Sequence, residues 1–234
     1  MNTPKTATDQ RLALSNERVL RVAVALAARD GIDSLTMRRL ANELGAGAMS
    51  LYHYVPNKEE LLDGMVDIVF SEIELPSTDL DWRTALRRRA ISTREVLNRH
   101  RWAVGLMESR ATPGPASLRL HNAVLGCLRE GGFSIETAIQ AYSVQDAYIY
   151  GFALQEKNLP FDDAEGAAAV AEEQVRQFAE LAQEQQSAAL EQEFPYLAEV
   201  VGGHVAKFGY DFAAAFEYGL DLILDGLEER RGTT

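Results

Sequence analysis

Residues 36–60 read TMRRLANELGAGAMSLYHYVPNKEE, and the fold turns on them. Thr36 is placed to cap a helix over MRRLANEL, and Gly45 supplies the residue tolerant of positive φ that a sharp turn after it needs. A second, short helix is predicted from about Ala48 to Val55. Pro56 ends it, because a residue before proline disfavours the helical region. Two short helices cross closely only if one offers a small residue at the crossing, and Ala41 does so. Leu40, Leu44, Ala46 and Leu51 fall where apolar side chains would pin the pair to a preceding helix. Together these positions describe a helix-turn-helix.

Working outward, Ser15 can cap a helix whose Val19, Val22, Ala23 and Leu26 line one face, with Gly31 as its stop. On the other side, Asn57 and Glu60 make a capping-box-like start for KEELLDGMVDIVFSEIE. LPSTDLD, residues 75–81, is the clearest boundary in the chain. Beyond it, WRTALRRRAISTREVLNRH and TPGPASLRLHNAVLGCLREGG both read as helices, the second with a Pro/Gly start and a Gly-Gly stop. SIETAIQAYSVQDAYIYGFALQEKN reads as a long helix with two usable faces. Ile135, Ile139, Tyr142 and Ile149 lie on one; Ala138, Ala141, Gln145, Tyr148 and Phe152 lie on the other. LPFDDAEG reads as a loop, and the Ala/Glu/Gln-rich stretch after it as a largely solvated helix with a thin apolar stripe. A last helix, about His204 to Glu229, repeats Val205, Phe208, Phe212, Phe216, Gly219, Leu220, Ile223, Leu224 and Leu227. No internal repeat is found. The expected fold is all-α. A head of three to four helices spans residues 15–74 and a larger helical body spans 80–231.

At 234 residues, with 47% apolar and 25% charged residues, the chain has an ordinary globular composition and can bury a real core. The single cysteine, Cys127, allows no internal disulfide and fits a reducing compartment as a buried thiol. No apolar run approaches the roughly 18 residues needed to span a bilayer, and the first fifteen residues lack the apolar stretch of a secretory signal. A cytoplasmic protein is expected. The net charge of −12 conceals an asymmetry: residues 1–58 carry 8 basic and 5 acidic side chains, the remainder 15 and 30. A polyanion would therefore meet the head.

That asymmetry gives the helix-turn-helix a chemical meaning. Its short helix would enter a DNA major groove by its N-terminal end, led by Ala48, Met49 and Ser50. Small side chains let the backbone approach base edges, Met49 can touch a thymine methyl, and Ser50 can donate to a base or phosphate. The rings of Tyr52, His53 and Tyr54 reach the flanking phosphates or a thymine edge. Arg38 can fork onto a guanine or hold a phosphate. Lys58 and the free amides opening the next helix form a phosphate seat. The competing readings are ordinary ones. Tyr52 and Tyr54 could be partly packed interface residues, His53 a solvated histidine, and Arg39 a locally paired side chain.

LTMRRLANELGAGAMSLYHYVPNKEELLDGM, preceded by ERVLRVAVALAARDGID, resembles the DNA-binding head of the tetracycline-repressor (TetR) family over about Ser15 to Val69. The resemblance implies a homodimer on a palindromic operator in double-stranded DNA and a C-terminal helical body that binds a small-molecule inducer. By position it implies DNA contacts from Arg38, Met49, Ser50, Tyr52, Tyr54 and Lys58, with Met37, Ala48 and His53 beside them. FEYGLDLILDGLEE is similar to the sensor domain of the same family. A drug-and-magnesium site does not carry over. His53, His100, His121 and His204 have no metal-ligand spacing, so no metal and no cofactor are expected.

In the body, the long helix and the last helix each carry more apolar surface than one side can bury. This predicts a four-helix interface, two helices from each subunit. The inducer pocket is expected among Trp102, Met107, His121, Tyr142, Gln145, Tyr148 and Phe152, which mix ring walls with a few polar groups. Each of these could equally be core or interface. Ligand binding is expected to move the fourth helix through the LPSTDLD junction and so change the spacing of two heads. A helical enzyme with an accessory helix-turn-helix is the alternative class. The sequence lacks a GxSxG, a phosphate loop or clustered His/Cys ligands that would favour it. A dimeric interaction module with a non-reading helix-turn-helix is the third.

Overall fold

The computed structural model describes residues 14–107, 109, 112–157, 173, 176, 193–200 and 211–232. Its helices are α1 (Asn16–Asp30), α2 (Met37–Glu43), α3 (Ala48–Leu51), α4 (Lys58–Ser71), α5 (Trp82–Arg99), α6 (Val104–Met107), α7 (Pro115–Glu130), α8 (Ile135–Lys157), α9 (Pro195–Glu199) and α10 (Phe212–Glu228). A 3-10 turn at Ile32–Ser34 joins α1 to α2, and no strand occurs among the described residues. The all-α expectation holds. The LPFDDAEG loop, most of the Ala/Glu/Gln-rich stretch, and His204, Val205 and Phe208 of the expected last helix lie outside the described residues.

Local chemistry sets the helix ends of the head. Ser15 Oγ accepts from the Arg18 amide at 3.2 Å, and Thr36 Oγ1 from the Arg39 amide at 3.1 Å. Asn57 Oδ1 accepts from the Glu60 backbone amide at 2.8 Å, while its side-chain Nδ2 donates to Glu60 Oε1 at 3.0 Å, so the two side chains hold the helix start together. Gly31 closes α1 at φ +80°, and Gly45 makes the turn between α2 and α3 at φ +62°. Val19, Ala23 and Leu26 of α1 meet Leu40, Ala41, Leu44, Leu51 and Val55 in a buried head core. Full burial of a leucine here stabilises by about 2 kcal/mol. Ala46 and Val22 are only half-buried. Helices α1 and α4 approach closely at Gly64, where a Cβ would stand 2.7 Å from Leu20 Cδ2.

The short reading helix differs from its expected extent. It ends at Leu51, and Tyr52, His53 and Tyr54 occupy a following turn rather than helix. The amides of both Tyr54 and Val55 converge on the Leu51 carbonyl at 2.9 Å. The chain tightens there so that Val55 reaches the core before Pro56 stops the helical path.

In the body, Asp81 caps α5 by accepting from the Thr84 amide at 3.0 Å. Helix α7 has only Gly114 at its N-cap, so its opening amides look elsewhere. Asp67 of α4 accepts from Ala116 N at 2.9 Å and from Ser117 N at 3.0 Å. Trp82 packs edge-on against Phe133, with ring centroids 4.8 Å apart.

Helix α8 corrects the two-face expectation. Ile149 and the row Ala138, Ala141 and Gln145 are buried, so both expected faces turn inward over much of their length. Ile135 and Ile139, placed on the same row as Ile149, are exposed. The outward apolar surface is instead made by Ile135, Ile139, Val144 and Leu154, with exposed Ala147 and Gly151 between them. By helical period Val144, Ala147, Gly151 and Leu154 face away from the buried row, while Ile135 and Ile139 stand in the first two turns of α8. Helix α10 buries Phe216, Leu220, Leu224 and Leu227 and exposes Tyr218 and Leu222. One compact unit covers Met1–Ala153 with Leu227–Thr234, and a second covers Leu154–Gly226. Among the described residues no helix is long and apolar enough to cross a membrane.

Candidate nucleic-acid interface and effector site

The head presents its candidate reading residues on one tight segment. Arg38, Ala48, Ser50, His53 and Lys58 are exposed, and Met49 is 80% exposed, Tyr52 43% and Tyr54 37%. Met37 is half-buried. Alternation explains the arrangement: Leu51 and Val55 point into the core, so the residues between them must face out. Asn16, which sequence reasoning missed, donates from Nδ2 to the Tyr54 carbonyl at 2.8 Å and ties this turn to the start of α1. The basic residues divide into two groups. Arg39 pairs with Asp30, while Arg29 pairs with Asp30 at 3.0 Å and Glu43 at 3.2 Å. Arg38 and Lys58 have no ion pair among the described residues, leaving their charge available to a polyanion.

In the body, three of the expected pocket residues, His121, Tyr142 and Gln145, lie close to one another. His121 of α7 meets Tyr142 of α8 edge-on at 5.2 Å, and Phe70 of α4 meets His121 at 6.3 Å. One turn along α8 from Tyr142, Gln145 Oε1 accepts from Arg89 Nη1 at 3.3 Å. Tyr148 instead pairs with Phe152, 5.9 Å between centroids, beneath the Arg94 guanidinium. Trp102 is buried against His100, at 6.1 Å, and Met107 is buried in α6.

Arg89, Thr93 and Asp146 were not anticipated. The Arg89 side chain is completely buried, with Nη1 2.6 Å from Asp146 Oδ1. Burial works against the charge, and Asp146 beside it outweighs that, holding the guanidinium protonated. Burial, and then the hydrogen-bonded carboxylate of Asp146, push the Tyr142 phenol upward, so it stays neutral. Thr93 donates to the Arg89 carbonyl at 2.8 Å. Severing the Arg89–Asp146 pair from one side would cost about 3–5 kcal/mol. The signal was present in the sequence. Trp82, Ala85, Leu86, Arg89, Thr93 and Val96 follow one helical row of α5, so an arginine stands where the period demands core. Arg89 Nε and Nη2 and Gln145 Nε2 are buried with no hydrogen-bond partner. A buried unsatisfied donor costs about 1–3 kcal/mol.

At the end of α4, Glu72 receives His100 Nε2 at 3.0 Å and Arg99 Nη2 at 3.1 Å. Burial raises the Glu72 carboxyl, but those two hydrogen bonds outweigh it and hold it below its ordinary range. Among the described residues no three His, Cys, Asp or Glu side chains are grouped to hold a metal ion. Cys127, expected as a buried thiol, is half-buried, and desolvation pushes its thiol up to about 11.

The family model described as "Bacterial regulatory proteins, tetR family" matches residues 19–65, the segment that builds the head. The model described as "Tetracyclin repressor-like, C-terminal domain" matches residues 75–231. The chain belongs to the TetR family. It is 35% identical over 225 residues to the HTH-type transcriptional repressor DrrR1 of Streptomyces coeruleorubidus, covering 94% of this chain and 80% of that one. It is 30% identical over 221 residues to the class A tetracycline repressor of transposon 1721 from Escherichia coli, covering 93% and 92%. Among solved structures, it is similar to the Streptomyces coelicolor TetR family protein ActR in complex with actinorhodin. That match has a TM-score of 0.76 and 28% identity, covering 94% and 99% of the two chains. As a member of the TetR family the chain is a DNA-binding transcriptional regulator with a ligand-responsive body, not an enzyme.

Proposed function

We propose that this TetR-family regulator binds a palindromic operator as a homodimer, represses transcription in the cytoplasm, and is released by a small-molecule inducer. The observation that carries the reading is the head surface. Arg38, Ala48, Met49, Ser50, Tyr52, His53, Tyr54 and Lys58 are all exposed on one segment, over anchors that are buried. Met37, half-buried, completes the set of proposed DNA contacts. Residues 15–74 serve as the DNA-binding domain and 80–231 as the ligand-binding and dimerisation domain. The outward apolar rows of α8 and α10 are the surfaces offered to a second subunit, because such rows are costly to leave in water.

The inducer contacts the body through Trp102, Met107, His121, Tyr142, Gln145, Tyr148 and Phe152, with His121, Tyr142 and Gln145 as the core of the site. A ligand touching Tyr142 acts on the ring row that ends at Phe70 of α4. Helix α4 begins beside Lys58, so a shift along it re-aims the head. The ligand changes operator affinity only by binding one head spacing better than another.

The test is selection of bound duplexes from a random-sequence library by the purified protein at two salt concentrations. A recovered palindrome whose affinity falls with salt supports the reading, since phosphate contacts release counterions. No enrichment at low salt refutes it. Equal operator affinity with and without a tightly bound small molecule refutes the inducer mechanism alone.

A further inference from the structure

The buried Arg89 carries more donors than the protein uses. Its guanidinium has five N–H groups, and both of its recorded partners, Gln145 Oε1 and Asp146 Oδ1, are met by Nη1. Nε and Nη2 have no protein partner. Their N–H groups lie side by side on one edge of the guanidinium plane, the edge that grips two oxygens of a planar group at once. Gln145 Nε2, at a residue 1% exposed, is a further donor with no partner. The amide has only one sensible sense here, because reversing it would turn its NH2 toward Arg89 Nη1.

From this edge we propose that Arg89, with Gln145, is the recognition point of the effector site, and that it selects ligands carrying a planar oxygen acceptor, a carbonyl or a carboxylate. The assignment rests on the reading of the body as a ligand-binding domain. Asp146 already balances the Arg89 charge, so the acceptor need not be an anion. At Arg89 and Gln145 the three atoms without a partner are all donors, and the one acceptor beside them, Asp146 Oδ1, stands 2.6 Å from Arg89 Nη1. That acceptor already faces Arg89, so a ligand ammonium would enter beside a cation. Amines are therefore disfavoured. The ring of Tyr142 beside Asp146 suits a flat ligand body.

Four probes of similar size separate these cases: 2-naphthoate, 2-acetylnaphthalene, 2-isopropylnaphthalene and 2-(aminomethyl)naphthalene. Their affinities are measured by calorimetry on the full chain, the Arg89→Lys variant and the Gln145→Leu variant. Lysine keeps a cation facing Asp146 and lacks the two-nitrogen edge. The acetyl or carboxylate probe is expected to bind at least about fivefold tighter than the isopropyl probe, an advantage that Arg89→Lys reduces to about twofold or less. Which of the two binds better tells whether the ligand is neutral or anionic. Gln145→Leu leaves the ion pair in place and carries the test if Arg89→Lys does not fold; it should lose about threefold on the acceptor probes alone. Equal binding of all probes, or equal loss of all probes in the variants, overturns the assignment and leaves the regulator reading intact. Preference for the amine also overturns it. If no probe binds while operator duplexes are still recovered, the assignment falls and DNA recognition by the head stands.

Discussion

Asp67→Ala tests how α4 is joined to the body. Asp67 is the only side chain seen capping α7 among the described residues, and it does so from another helix, with two backbone amides at 2.9 and 3.0 Å. Hydrogen bonds to an ionised acceptor contribute about 1.5–3 kcal/mol each when buried. Asp67 is half-buried, so solvent screens part of this, and the two together should be worth about 2 kcal/mol. No residue of α7 can replace it, because Gly114 has no side chain. A Cβ there would also lie 2.3 Å from the Asp67 carboxylate, so α7 has no room for a cap of its own. For a chain of this size each kcal/mol moves the melting temperature by about 2–4 °C. Asp67→Ala should therefore lower it by about 4–8 °C, measured by circular dichroism at one protein concentration. Asp67→Asn keeps one acceptor oxygen without the charge and should lose about half as much. An Asp67→Ala protein that melts with the wild type would refute the reasoning.

Gly45→Val should lower stability by about 1–2 kcal/mol through backbone strain alone; at φ +62° no atom stands within 4 Å of a Cβ there, so an unchanged melt would show that the turn relaxes freely. Tyr52→Ala should weaken binding to the selected operator on the order of tenfold, and Lys58→Ala should reduce the slope of log affinity against log salt by about 1 for each half-site. Normal operator affinity and slope in both variants would remove these residues from the DNA surface. Glu72 has a folded pKa held below its unfolded one, so its contribution is present above the ordinary carboxylate range and is lost as pH falls through the lowered value. The stability gap between wild type and Glu72→Gln should be open at about pH 6 and shrink steadily as pH falls below the ordinary carboxylate value of about 4.3, and a gap that stayed constant into acid would contradict the pairing with His100 and Arg99.

The head was legible because its information is local. Ser15, Thr36 and Asn57 cap the helices they precede, and Gly45 and Pro56 punctuate the turn. The alternation around Leu51 and Val55 decides which rings face outward. Each of these needs only neighbours within about one helical turn. Even so, the end of α3 was misplaced. Val55 is drawn into the core, which shortens the helix, and that burial depends on tertiary packing rather than on α3 itself.

The body was less legible because its decisive contacts span long separations. The period of α8 gave two apolar faces but could not say which would be covered. Packing by the neighbouring helices settled that, and put Ile139 outside while Ile149 went inside. Arg89 is the last of three consecutive arginines, and it falls on an otherwise apolar row. Its meaning appears only when Gln145 and Asp146, more than fifty positions away, are brought against it. The sequence alone indicated the longer helices, the caps of the head and the helix-turn-helix segment, because short-range sterics and hydrogen bonds suffice for those. Only tertiary structure decided which polar groups are buried together with donors to spare, because burial is a property of the whole packed chain.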